Sequence, residues 1–180
     1  VINLGINDKL FFKQAIPIIE GIENEHQNYM GTIITLSNHS PFIFQDKYGE
    51  FDLSDTFVNT NGETVTTNYL SGTAVGNYLT SVHYADSALG DFLTYVKESS
   101  AFDNTIFVFY GDHDAKLTRK EKNYLYNYNK EDGSVYEEGN ENYTQYDSFK
   151  HELNKKTPLI MWTKNSKLKN ALKGEVKYYM

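Results

Sequence analysis

Six residues, Thr105-Ile106-Phe107-Val108-Phe109-Tyr110, constrain this chain more than any other stretch. They form a nearly continuous apolar run that halts on Gly111-Asp112-His113-Asp114. A strand with one wet face alternates apolar and polar residues; a run apolar at almost every position needs cover on both faces, as in the middle of a parallel sheet. Upstream, Tyr78, Val82, Ala85, Leu89, Phe92 and Val96 recur at three- and four-residue spacing, which predicts a long helix over residues 75–97. Before that helix, Gly31-Thr32-Ile33-Ile34-Thr35-Leu36 reads as a short buried strand running into Ser37-Asn38-His39-Ser40-Pro41-Phe42. Strand, helix and strand in this order imply a right-handed crossover. The expected fold class is therefore α/β, a mostly parallel sheet flanked by helices.

The remaining stretches fill in that outline. Residues 8–25 carry apolar side chains at helical spacing, with Pro17 marking either a kink or a helix start. Residues 43–73 are polar, turn at Asn61-Gly62, and read as a surface excursion anchored by Phe51, Leu53 and Phe57. Residues 116–156 are polar and rich in Tyr and Asn, and read as an insertion with short helices rather than a separate domain. Thr157-Pro158-Leu159-Ile160-Met161-Trp162 is a further strand whose early proline suits a first residue or an edge. Residues 166–180 begin another helix.

Bulk properties narrow the function. A chain of 180 residues with 39% hydrophobic and 23% charged residues is ordered rather than disordered. A formal charge of -7 argues against a nucleic-acid partner, because phosphate backbones are gripped by excess Lys and Arg. An anionic substrate stays open, since a bound metal reverses the local sign. With no cysteine, disulfides, thiolate nucleophiles and Cys-based zinc sites are excluded. The chain starts at Val1 rather than Met, which suggests a piece of a larger protein.

In an open α/β sheet, ligands gather at the carboxyl ends of the strands. Two such ends carry polar clusters, Ser37-Asn38-His39 and Gly111-Asp112-His113-Asp114. Gly111 would let the backbone turn out of the strand. Asp112 and His113 then offer a carboxylate oxygen beside an imidazole nitrogen, a mixture that suits Zn²⁺, Mn²⁺ or Mg²⁺ better than Ca²⁺. The plainer alternative is an aspartate capping the next turn beside a surface histidine. A serine hydrolase built on Ser37 or Ser40 with His113 lacks the Gly-x-Ser-x-Gly elbow. No phosphate-binding or dinucleotide-binding glycine loop is present. His83 lies on the long helix and reads as a packing or surface residue, and Asp114 as a solvated loop charge.

Taken together, these motifs resemble one family. Phe107-Val108-Phe109-Tyr110-Gly111-Asp112-His113 resembles the strand and metal-ligand motif of the sulfatase and phosphoglycerol transferase group in the alkaline phosphatase superfamily. Thr35-Leu36-Ser37-Asn38-His39-Ser40-Pro41-Phe42 is similar to the substrate-histidine segment of lipoteichoic acid synthases, and the helix from Tyr78 to Gly90 to the one between those motifs. Leu4-Gly5-Ile6-Asn7-Asp8, with Phe11-Phe12 and Ile16-Pro17, also fits.

The resemblance implies a sulfatase-like catalytic domain of which residues 1–180 are a C-terminal part, with 116–156 inserted in it. It implies one Mn²⁺ or Mg²⁺ held partly by Asp112 and His113, and a substrate-binding role for His39. The family's Glu ligand and Thr nucleophile would lie upstream, so no catalytic nucleophile is assigned within this chain. Two ligands of about four bind a metal weakly, and the 180 residues alone are expected to be inactive. The implied activity of the parent is transfer of phosphoglycerol from a lipid to a cell-envelope polymer through a threonine intermediate. That would take place on the extracellular face of a bacterial membrane, with anchoring by preceding segments. A sulfatase or phosphodiesterase-type hydrolase fits the same ligands, and a non-catalytic interaction module would keep only the scaffold. An unpaired hydrophobic strand edge leads us to expect that the chain self-associates.

Overall fold

Helix α1 (Asp8–Glu25) opens the architecture; the computed structural model describes residues 5–43, 47–151, 157–171 and 173. The Asn7 side chain caps α1 by accepting from the Leu10 amide at 3.0 Å, and Asp8 adds negative charge to a first turn whose amides favour it. The helix begins at Asp8 and runs through Pro17, so the proline does not start it. Its buried side carries Asp8 and Phe12, with Ile16 and Ile19 packed against the core, while Ile18 faces solvent.

Helix α2 (Ala74–Glu98) is capped by Thr73, whose hydroxyl accepts from the Gly76 amide at 3.0 Å. Gly76 is required there, since a Cβ would lie 2.0 Å from the Leu70 carbonyl oxygen. The buried stripe of α2 includes Ser81, Tyr84, Ala88, Phe92 and Val96, rotated slightly from the apolar repeat in the sequence. Thr80 and Ser81 enter the interior because their hydroxyls bond backbone carbonyls one turn back, Gly76 and Tyr78. Phe12, Ala88, Phe92, Val96 and Phe102 form the core, with the rings of Phe12 and Phe92 stacked at 4.7 Å. Phe107 and Trp162 pack beneath them.

Those two rings come from β3 (Phe107–Tyr110) and β4 (Leu159–Trp162). The strands pair antiparallel, with Phe107 opposite Trp162 and Tyr110 opposite Leu159. The α/β character stands, but the parallel pairing expected between residues 31–36 and β3 is not formed among the described residues. Residues 31–36 take part in no ladder among the described residues, and Ile34 is 72% exposed. A strand is defined by its neighbour, and no described strand lies beside this one. The burial of β3 accordingly alternates instead of being complete on both faces.

Residues 43–73 hold a hairpin, β1 (Asp55–Val58) and β2 (Thr64–Thr67), turning at the predicted Asn61-Gly62. Of the expected anchors, Leu53 lies beside Gly76 and Phe57 meets Tyr128 edge-on at 5.6 Å, whereas Phe51 stacks on His83 at 4.5 Å yet stays 37% exposed. The polar stretch after β3 contains α3 (Arg119–Asn123), closed by a capping box between Thr118 and Glu121, and α4 (Ser148–His151). It packs on the hairpin: Thr67 Oγ1 donates to the Gly133 carbonyl at 2.8 Å, and Thr60 Oγ1 donates to Glu131 Oε2 at 2.6 Å. After β4 comes α5 (Ser166–Ala171). No helix among the described residues is long and apolar enough to cross a membrane.

Candidate functional site

The site assembles from two turns, each fixed to the scaffold by backbone chemistry. The first follows residues 31–36 and closes through the His39 amide, which donates to the Leu36 carbonyl at 3.1 Å. Asp8 reaches it from the start of α1: its Oδ1 accepts from the Leu36 and Ser37 amides, both at 3.0 Å. In return the Asp8 amide donates to Ser37 Oγ at 2.9 Å. Both side chains are buried, 2% exposed each. Tyr48 donates its hydroxyl to the Ser37 carbonyl at 2.9 Å. On the other side, the Ser81 hydroxyl of α2 shares its proton between Asn38 Oδ1 and the Tyr78 carbonyl, each at 2.7 Å. The His39 turn is thus tied to both long helices.

The second turn leaves β3. The Gly111 amide continues the ladder by donating to the Pro158 carbonyl at 3.3 Å. Gly111 turns out of the strand without a positive φ. A Cβ would lie 3.1 Å from the Cβ of Thr157, so the glycine permits close approach of the neighbouring chain. Asp112 and His113 then emerge exposed, whereas Asp114 turns back and pairs with Lys122 at 3.7 Å rather than standing free in solvent.

The two turns meet. The rings of His39 and His113 lie 6.2 Å apart, edge to face at 82°. His39 Nδ1 is 2.6 Å from the Ser40 carbonyl, and His113 Nδ1 is 2.7 Å from the Asp114 carbonyl. A carbonyl can only accept, so Nδ1 is the donor in each of these contacts and Nε2 is the ring nitrogen left for other partners. Asp112 Oδ1 lies 3.8 Å from His113 Nε2. Among the described residues, no three His, Asp or Glu side chains converge as a metal cage.

Around this site the phenols hold their protons tightly. Burial pushes the Tyr48 hydroxyl up from 10.0, and the Asp8 charge adds to the effect. Tyr84, stacked on Tyr48 at 4.4 Å, is raised likewise, chiefly by burial. Asp8, Ser81 and Tyr48 escaped the sequence reading because apolar spacing is blind to buried polar side chains. Their one signal was that Asp8 and Ser81 fall within the segments that resemble the family, Leu4–Asp8 and Tyr78–Gly90.

Comparison with known proteins places this geometry in context. The chain is 34% identical over 113 residues to lipoteichoic acid synthase 1 of Bacillus subtilis (strain 168), covering 63% of this chain and 15% of that protein. It is 28% identical over 113 residues to lipoteichoic acid synthase of Staphylococcus aureus (strain USA300), with the same coverage of 63% and 15%. The crystal structure of the lipoteichoic acid synthase LtaP from Listeria monocytogenes matches with a TM-score of 0.52 and 32% identity, over 68% of this chain and 28% of that one. The chain therefore spans a small part of the length of these relatives. Residues 2–178 match the sulfatase family, and the chain belongs to that family.

Proposed function

We propose that this chain is part of a metal-dependent phosphoglycerol transferase that builds a lipoteichoic-acid-type polymer at the outer face of a bacterial membrane. The observation that carries this reading is the meeting of His39 and His113, from distant segments, each with Nδ1 engaged by a backbone carbonyl and with Asp112 beside His113 Nε2. The donor pair fits a divalent ion. Asp112 Oδ1 and His113 Nε2 lie 3.8 Å apart, and a small rotation of the exposed Asp112 side chain would bring them to the ~3.0–3.4 Å that separates neighbouring donors at a usual ~2.1 Å bond length. Asp112 and His113 would hold Mn²⁺ or Mg²⁺, the remaining ligands and the threonine nucleophile coming from residues outside this chain. Such an ion supplies positive charge to a phosphoryl oxygen and activates a nucleophile.

The chain's own groups divide the remaining work. With Nδ1–H committed to Ser40, His39 faces the substrate through Nε2. It accepts from a glycerol hydroxyl when neutral, or donates to a phosphate oxygen when it carries a second proton. The sulfatase family match equally suits a hydrolase, in which water replaces the polymer hydroxyl as acceptor. The test is turnover by the full-length protein on phosphatidylglycerol vesicles with Mn²⁺, comparing wild type with His39→Ala. We expect polymer formation in the wild type and a drop of tenfold or more in His39→Ala, with Mn²⁺ affinity unchanged. Free glycerol phosphate as the sole wild-type product would favour the hydrolase, and undiminished turnover in His39→Ala would remove that residue from the site.

A further inference from the structure

We infer that Asp8 is a positioning residue for His39, acting with Ser81 as the second jaw of a clamp on the turn between them. This rests on the reading that His39 faces the substrate. Asp8 is a carboxylate 2% exposed, yet it makes no contact with the candidate ligands and belongs to a different element. Its Oδ1 takes two amides of the turn, Leu36 and Ser37, and its own amide is returned to Ser37 Oγ. A buried carboxylate is tolerated only with such charge-assisted partners, and the geometry specifies one turn conformation. From the opposite side, the fully buried Ser81 hydroxyl holds Asn38 at 2.7 Å. His39 follows directly, and its ring sits where Nδ1 reaches Ser40 and lies 6.2 Å from the His113 ring. Without the clamp, no other described hydrogen bond ties residues 37–38 to the helices, and Tyr48, bonded to the Ser37 carbonyl, reaches α2 only by stacking on Tyr84.

The ring-nitrogen NMR shifts of His39 and His113 in this chain report the geometry without metal, substrate or turnover. At a pH chosen so that the imidazoles are neutral, wild type should show each ring with its proton on Nδ1, the nitrogen that faces a backbone carbonyl. Asp8→Ala and Ser81→Ala should each move His39 to the mixed pattern of a solvated imidazole while leaving His113 unchanged. Asp8→Asn, which keeps the accepting oxygen, should restore the His39 pattern. An unchanged His39 pattern in folded Ser81→Ala and Asp8→Ala would overturn the clamp. Should Asp8→Ala fail to fold, Ser81→Ala and Asp8→Asn still decide the matter, because mixed tautomers in Asp8→Asn or a wild-type pattern in Ser81→Ala each contradict it. The expected patterns uphold the clamp even if added glycerol phosphate moves neither ring, a result that counts against the proposed function alone.

Discussion

At the scale of single residues, several positions are held by contacts that hydropathy cannot express. Gly76 sits in the first turn of α2 with no room for a methyl group, the blocking atom being a backbone oxygen rather than a flexible side chain. Gly76→Ala should therefore cost about 1–3 kcal/mol by overpacking, despite alanine's better helix propensity, read as a lowered midpoint in urea unfolding. An equal or raised midpoint would mean that the Leu70 turn yields freely. The site residues show the same division. His39, Asp112 and His113 stand out in the sequence because they follow apolar runs. Asp8, which fixes the first of them, sits at a helix start where an acidic residue ordinarily means only a favourable first turn.

Among the elements, α1, α2, β3 and β4 were legible because each is set by a local pattern of apolar spacing or a short apolar run. Strand pairing was not, because it joins residues far apart. The apolar run of β3 announces burial, but only the partner decides between a parallel and an antiparallel ladder. The β1–β2 hairpin was half legible: its Asn61-Gly62 turn was plain, but strands made largely of Thr look polar. The stretch following β3 holds together in a way composition conceals. Asn127 is buried, donates to the Asn123 and Thr144 carbonyls at 2.8 Å, and accepts from the Thr144 amide at 2.6 Å. Asn123 in turn accepts from the Tyr146 amide at 2.7 Å and donates to the Tyr143 hydroxyl at 2.6 Å. Side-chain amides thus do here what a ladder does elsewhere, by satisfying loop backbone. Asn127→Ala strands those backbone groups and should cost roughly 1–3 kcal/mol, with faster amide exchange at Thr144. Unchanged exchange at Thr144 would contradict this role.

For the whole molecule, the core covers one face of the β3–β4 pair at its Phe107–Trp162 end, while Ile160 on that face stays 55% exposed. The other face carries Val108, Tyr110, Leu159 and Met161, matched across the strands and 47%, 65%, 65% and 54% exposed. An apolar face of this kind, on a strand pair with no further partner among the described residues, is a template for association. We expect the isolated chain to self-associate in light scattering, and Val108→Lys with Met161→Lys to shift it toward monomer; a clean wild-type monomer at high concentration would contradict this. The central claim is that the turn after β3 supplies part of a metal site in a larger enzyme. The measurement that tests it most directly is calorimetric titration of Mn²⁺ into the folded catalytic portion of the full-length protein, in wild type, Asp112→Ala and His113→Ala. The account predicts a single binding event in the wild type, weakened at least tenfold by either substitution. Binding that survives both substitutions, or no binding by the wild type, would contradict it.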